Sequence, residues 1–206
     1  MSDAMKERPL NAKPWEVRAF RDGRKTQFRR VVKQVPHWPH CGKDIMKWGL
    51  SGCYTDDKGR HWLDIQTEVD DNSHDEIKCP YGQPGDRLWV RETWRQYSRS
   101  ECACYDDCHC PPSGTVLYRA DHDEEIKWRP SIFMPRWASR LLLEIVSVRV
   151  ERLNEITDFE AYKEGAPSRA GRITGYYCMS YKEGFRELWE SINGPGAWEA
   201  NPWVWV

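Results

Sequence analysis

Residues 18–33, RAFRDGRKTQFRRVVK, concentrate basic side chains in a chain whose formal net charge is only -1. Asp22 is the one acid of this segment, and its bases are Arg18, Arg21, Arg24, Lys25, Arg29, Arg30 and Lys33. Such a local excess of positive charge is typical of a surface that faces an anion, and nucleic acid is the commonest large anion. A solvated amphipathic helix is the competing interpretation.

The spacing of apolar residues predicts a helix that stops inside this segment. Val17 and Phe20 recur at helical spacing, and Gly23 is a residue that ends helices. Residues 27–32 fit a short extended segment better than a helix. We therefore expect Lys25 just past a helix end, in a turn.

The composition is that of a folded protein, although 31 % of its 206 residues are charged. Disordered chains lack aromatic residues, whereas this chain has 12 Trp, 9 Tyr and 5 Phe, most of which we expect in the core. Neither a membrane-length apolar run nor a secretory leader is visible in the sequence. We expect a cytoplasmic protein whose 8 Cys are thiols or metal ligands and not disulfides.

The chain divides into a flexible N-terminal arm, residues 1–13, and one domain, residues 14–206. Two insertions, about 36–78 and 97–114, interrupt the domain. Within the first, TDDKGRHW predicts a hairpin with Lys58-Gly59 at its tip, and DDNSHDE, residues 70–76, predicts a loop.

Apolar alternation predicts strands at Arg87–Thr93, at Arg140–Arg152 and at the C-terminal aromatic segment Trp203–Val206. The alternation slips near Ser147, where a bulge is expected. Two helices are also predicted. The first covers Asn154–Glu164, with a capping box from Thr157 to Glu160 and an end at Gly165, and the second covers Lys182–Ile192. These elements indicate a single α+β domain.

Five motifs in this order resemble bacteriophage-type proteins of the ASCH superfamily. They are GRKTQFRRVV at 23–32, PGDRLWVRETW at 84–94, WRPSIFMPRWASRLLLEIVSVRVERL at 128–153, KEGA at 163–166 and NPWVWV at 201–206. The resemblance implies a PUA-like mixed β-barrel with flanking helices and the two loop insertions. It also implies a cleft that faces RNA, DNA or a modified nucleoside, in a protein of the host cytoplasm if it is phage-encoded.

The resemblance implies a possible catalytic site as well. The superfamily includes amidohydrolases of N4-acetylcytidine that use a Lys, a Thr three residues later and a Glu on a later helix. The Lys matches Lys25 and the Glu matches Glu164, but Phe28 stands at the Thr position, and Thr26 is the nearby hydroxyl. We expect Lys25 and Glu164 within about 4 Å of each other, a salt-bridge distance, at the open mouth of the cleft, with Phe28 pointing into that cleft.

Three functions are open at this point. The first is a nucleic-acid or nucleoside-binding module, in which Phe28 stacks on a base and arginines bind phosphate. These arginines are Arg21, Arg24, Arg29 and Arg30. In the second, an amidohydrolase, a partly desolvated Lys25 acts as base beside Glu164, and water or Thr26 attacks the amide. In the third, the insertions bind a host protein. Phe28 favours binding over catalysis, because it removes the hydroxyl.

Four cysteines within nine residues, Cys102, Cys104, Cys108 and Cys110, predict a structural zinc site. Four thiolates would fill a tetrahedral zinc and leave no open position, so a catalytic metal is not expected. A loop of thiols without metal is the alternative.

Overall fold

The protein is a mixed α+β arrangement of short elements. The computed structural model describes residues 5–33, 49–55, 61–66, 74–102, 109–123, 126–173 and 176–206, to which all structural statements below refer. The helices of these residues are α1 Pro14–Arg21, α2 Asp158–Lys163 and α3 Tyr181–Asn193. The strands are β1 Glu7–Asn11, β2 Arg30–Val31, β3 Gly49–Thr55, β4 His61–Gln66, β5 His74–Lys78, β6 Arg87–Arg91, β7 Trp94–Gln96, β8 Val116–Tyr118, β9 Leu142–Glu144, β10 Val150–Arg152, β11 Arg169–Ile173, β12 Tyr176–Ser180 and β13 Trp203–Trp205.

Two three-stranded sheets carry the elements around the site described below. The first has the order β1–β6–β9, with β1 parallel to β6, and the second is antiparallel with the order β10–β13–β2. Residues 7–11 therefore belong to a sheet, although the sequence predicted a flexible arm there. Pairing with β6 gives this segment backbone hydrogen bonds along one edge, and Leu10 is buried, so a mostly polar segment still joins the core.

The predicted strand Arg140–Arg152 is in fact two strands, because the chain changes sheets within it. β9 pairs with β6, and β10 pairs with β13. Between them, Ile145 hydrogen-bonds with the turn that precedes β6, and Arg149 exchanges two backbone hydrogen bonds with Val206. This change of partner explains the slip in apolar alternation near Ser147.

The strands β3, β4 and β5 form a separate antiparallel sheet inside the first predicted insertion. The β3–β4 pair confirms the predicted hairpin, whose tip lies outside the described residues. Residues 74–76 were predicted as loop, yet they pair with β4, because a backbone ladder does not depend on the acidic side chains it carries. β7 pairs with β8, so residues 97–115, which include the second insertion, connect the strands of a hairpin.

The predicted capping box is confirmed, and α3 lies within one residue of its predicted limits. α2 begins at Asp158 and not at Asn154, because Thr157 caps it and Leu153–Glu155 form a separate 3-10 turn. The Thr157 hydroxyl accepts a hydrogen bond from the Glu160 N–H at 3.2 Å, and the Glu160 carboxylate accepts one from the Thr157 N–H at 2.9 Å. Gly165, with φ of 75°, follows α2 in the left-handed conformation. α3 buries Phe185 and Trp189 in an aromatic core cluster.

The described sheets do not close into a barrel by hydrogen bonding. The helices and sheets confirm the predicted α+β class, whereas the PUA-like barrel stays a prediction. In the described part of the chain, no helix has the length and apolar character needed to cross a bilayer.

Gly184 allows α3 to pack directly on the backbone of residue 167. A Cβ at position 184 would lie 1.7 Å from the carbonyl oxygen of Pro167. Alanine normally favours a helix over glycine by about 1 kcal/mol, but here the helix would have to move. We expect Gly184→Ala to lower the free energy of unfolding by about 1–3 kcal/mol, measured by urea denaturation.

Ser191→Ala, on an exposed position of the same helix, is the control, and it should change stability by less than about 0.5 kcal/mol. If the Gly184→Ala protein were as stable as the parent, α3 could not pack on residue 167 in this way.

Candidate functional site

The end of α1 brings Lys25 beside the end of α2. Gly23, with φ of 70°, turns the chain after α1. Lys25 and Glu164 then form an isolated antiparallel bridge, and the N–H groups of Thr26 and Gln27 both donate to the Lys163 carbonyl. Two helix ends that are far apart in sequence are thereby held together by backbone hydrogen bonds.

The side chains of Lys25 and Glu164 form a buried ion pair. Lys25 Nζ lies 2.9 Å from Glu164 Oε2 and 2.9 Å from the Glu164 carbonyl oxygen. The two residues are only 5 % and 2 % exposed. The predicted proximity of this pair is confirmed, but the pair is buried and does not lie at an open mouth.

Arg29 extends this pair into a network. Its guanidinium donates to Glu164 Oε1 at 3.0 Å and to Glu151 Oε2 at 2.8 Å, and it lies 3.6 Å from Glu160 Oε1. The sequence analysis assigned Arg29 to phosphate binding. Its side chain is instead fully buried among three carboxylates, so we assign it the role of holding Glu164.

The Glu160 carboxylate, next to Arg29, has a lowered pKa. Burial alone would raise its pKa, but hydrogen bonds from Thr157 and the charges of Arg29 and Arg149 lower it below 4.5. A carboxylate with a lowered pKa in the folded state stabilises the fold fully above that ordinary value. The stabilising effect of Glu160 is lost as the pH falls through the lowered pKa.

Two adjoining cavities flank the Lys25–Glu164 pair. The larger has a volume of about 610 Å³ and the smaller of about 390 Å³. Phe28 lines the larger cavity and Glu164 lines the smaller, whereas Lys25, Arg30 and Tyr81 line both. The single cleft expected from the sequence is therefore divided, and Phe28 and Glu164 face different parts of it.

The larger cavity has an aromatic and cationic corner. Phe28 meets Tyr81 edge-on, with ring centroids 6.0 Å apart, and the Arg30 guanidinium lies 4.6 Å from the centroid of the Phe28 ring. Burial raises the pKa of Tyr81, although the charge of Arg30 opposes the shift, so the phenol is a hydrogen-bond donor at neutral pH. Burial likewise raises the pKa of the Cys79 thiol on the same cavity.

The other predicted site residues lie at the surface. Arg21 forms an ion pair with Asp121, and Arg24 contacts Asp22 at 3.1 Å. Thr26 is exposed and lines the larger cavity together with Lys25, whose ammonium is buried. The basic segment therefore has buried cations, Lys25 and Arg29, and exposed cations, which include Arg21 and Arg24.

Sequence analysis missed four acidic or aromatic residues of the site. Glu16 lies 3.8 Å from Lys25 Nζ, Glu151 and Glu160 contact Arg29, and Tyr81 lines both cavities. Glu16 occupies the first turn of α1, where an acid is expected for capping and carries no functional signal. The fold alone brings these residues to the basic segment.

The predicted zinc ligands fall only partly within the described residues. Cys102 Sγ lies 3.6 Å from Cys110 Sγ, and Cys104 and Cys108 lie outside the described ranges. Interaction with the Cys110 thiol, together with burial and the Cys102 thiol, raises the pKa of Tyr97. The described residues alone contain no group of three or more potential metal ligands. Part of each insertion named for host-protein binding also lies outside those residues.

Comparison with protein-family models, curated proteins and solved structures found no match to this chain.

Removal of the Glu164 carboxylate tests the importance of the buried network. Glu164→Ala would leave Lys25 and Arg29 buried with fewer compensating charges, and we expect a loss of about 3–5 kcal/mol in the free energy of unfolding. Glu199→Ala is the matched control, because Glu199 is exposed and pairs with Arg186 at 3.4 Å. It should cost less than about 1 kcal/mol. Equal losses in urea denaturation would contradict a structural role for the network.

Proposed function

We propose that this protein binds a nucleoside, free or as a base of RNA or DNA, in the larger cavity. The observation that carries the proposal is the corner of Phe28, Tyr81 and Arg30 inside a cavity of about 610 Å³. Aromatic rings and a guanidinium plane are the groups that bind unstacked bases, and the volume lies within the range of small-molecule sites. The remaining lining is mainly apolar, which suits the faces of a base.

We propose further that the domain is of the ASCH type with a PUA-like fold. Its support is the sequence resemblance and the path of the chain from β9 to β10. Residues 142–152 run from the β1–β6–β9 sheet into the β10–β13–β2 sheet, as an open barrel would require. We also propose that the protein acts in the cytoplasm, that of the host if it is phage-encoded, where it would meet RNA or DNA.

Binding is preferred to catalysis because the two candidate catalytic groups are already engaged. Lys25 Nζ donates to two oxygens of Glu164, and the Glu164 carboxylate accepts from both Lys25 and Arg29. A general base needs a free position within hydrogen-bond reach of its substrate. Phe28 also places an apolar ring where the resembling enzymes have a hydroxyl.

Phe28→Ala should weaken nucleoside binding. Stacking on an aromatic ring contributes about 1–3 kcal/mol per base, so we expect the Kd to rise at least about fivefold. Calorimetric titration with the ribonucleosides and N4-acetylcytidine measures the change. Phe159→Ala is the matched control, because Phe159 is an exposed ring on α2, against Lys163 and Tyr162. Equal affinities of the two variants would refute a role of Phe28 in binding.

The second candidate function is hydrolysis of an N4-acylated cytidine. The observation that favours it is the 2.9 Å contact between Lys25 Nζ and Glu164 Oε2, the two residues matched to the enzymes' Lys and Glu. Thr26 and Lys25 line the same cavity, which leaves one hydroxyl near the pair. Water, or Thr26 followed by water, would attack the amide carbonyl and give its proton to Lys25 or Glu164 as base. The C–N4 bond would then break as N4 takes up that proton, which releases cytidine and the carboxylic acid.

Hydrolysis of N4-acetylcytidine by the native protein should be weak or absent, and Phe28→Thr should increase it. The substitution restores a hydroxyl at the position where the resembling enzymes carry one. Release of cytidine, followed by chromatography, measures the activity. Lys25→Ala is the control for both proteins. Rapid turnover by the native protein that disappears in Lys25→Ala would contradict the preference for binding.

We also propose a structural zinc held by the 102–110 segment. In a tetrahedral site with Zn–S bonds of about 2.3 Å, two sulfurs are about 3.8 Å apart, close to the 3.6 Å between Cys102 and Cys110. Purified protein should contain zinc, and Cys102→Ser with Cys110→Ser should remove it, as measured by elemental analysis. Cys79→Ala, at a buried cysteine, should leave it in place. Metal-free native protein would refute the site.

A further inference from the structure

The smaller cavity has an unusually cationic lining. Among the described residues that line it, five carry a positive charge and two a negative charge: Lys13, Lys25, Arg29, Arg30 and Lys33 against Glu16 and Glu164. The chain as a whole is almost neutral, so this excess is a property of the cavity and not of the composition.

The two acids do not balance this excess, because the buried cations already use them. Glu164 is bonded to Lys25 and Arg29, and Glu16 lies 3.8 Å from Lys25 and 3.9 Å from Arg30. Arg29 is further neutralised by carboxylates outside the cavity. The interior is thus close to electrical balance, and the excess lies at the rim.

Lys13 and Lys33 supply that rim. Both side chains are exposed, and neither forms an ion pair with a carboxylate of the described residues. Lys13 precedes α1 and Lys33 follows β2, so two separate segments bring them to one opening. Arg30, about one-third exposed, lies between the rim and the larger cavity.

The wall formed by α3 is apolar and aromatic. Phe185, Leu188, Trp189 and Ile192 line this side of the cavity, and Trp15 of α1 faces the Lys25 ammonium at 5.5 Å. A fully hydrated ion gains little from such a wall. A ligand that joins an anionic group to an organic body matches both sides of the cavity.

We propose that the smaller cavity binds the phosphate of a nucleotide whose base occupies the larger cavity. This inference rests on the proposed function, because the base must bind beside Phe28. Arg30 and Tyr81 line both cavities, so a ligand that passes them meets the aromatic corner on one side and the lysines on the other. Lys13, Lys33 and Arg30 are the phosphate-binding residues in this arrangement, and the buried Arg29 is not.

A comparison of nucleosides with their monophosphates tests the inference. The probes are the ribonucleosides, N4-acetylcytidine and the corresponding 5′-monophosphates, titrated at low and at moderate salt. We expect the monophosphate to bind at least about tenfold more tightly than its nucleoside at low salt, from charge-assisted hydrogen bonds. The gain should shrink with salt, since rim charges are screened.

Variants at the rim separate this site from the base site. Lys13→Gln and Lys33→Gln should each reduce the gain from phosphate and leave the nucleoside Kd unchanged. Lys127→Gln is the matched control, because Lys127 is an exposed lysine outside the lining of both cavities. It should leave both affinities unchanged.

The outcomes distinguish the two proposals. If the nucleoside binds and phosphate adds no affinity, or if the gain persists in both rim variants, the phosphate site is refuted and the base site stands. If neither probe binds, both proposals fail. A trinucleotide that outcompetes the monophosphate would identify the phosphate as that of a strand, and the reverse order would identify a free nucleotide. Either result supports the phosphate site.

Discussion

The buried ion pair between Lys25 and Glu164 is the contact on which the site depends. It joins the turn after α1 to the end of α2, and Arg29 extends it to β10 through Glu151. A buried ion pair loses hydration on folding, and it is stabilising only when its remaining hydrogen-bonding groups find partners. Here the backbone carbonyl of Glu164 and three further carboxylates supply them. The network thereby fixes how the N-terminal and C-terminal parts of the domain meet.

Lys25 also lies where the two cavities adjoin. Because Lys25, Arg30 and Tyr81 line both cavities, any shift of the Lys25–Glu164 pair would change the shape of both. The exposed cations of the basic segment can then serve a ligand, since the buried acids hold the others in place. The basic segment thus supplies the internal support of the site and, through Lys33, part of its charged rim.

Local sequence patterns predicted most of the helices and strands. Where these predictions were wrong, the reason is strand pairing between residues far apart in the sequence. The Thr157 capping box and Gly165 were readable because a cap involves residues only a few positions apart. The strand over 140–152 was predicted as one element because its apolar content continues through a change of partner sheet. Residues 7–11 pair in parallel with β6, which lies about eighty residues later in the sequence. The composition of residues 7–11 alone does not predict this pairing. The prediction that Lys25 and Glu164 lie close together came from the resemblance and not from any local pattern.

The basic segment shows why charge counting alone misassigns binding residues. Arg29 and Arg30 are adjacent and equally basic, yet the alternating side-chain direction of extended backbone buries one among carboxylates and leaves the other partly exposed beside Phe28. Arg29 contacts three carboxylates and stabilises the fold, whereas Arg30 has a partly exposed guanidinium over the Phe28 ring. An arginine contributes to ligand binding only if the fold leaves its guanidinium uncompensated and accessible. By the same criterion applied to all cations, Lys13 and Lys33 are accessible at the opening of the smaller cavity, whereas Arg30 is about one-third exposed and is partly compensated by Glu16 at 3.9 Å.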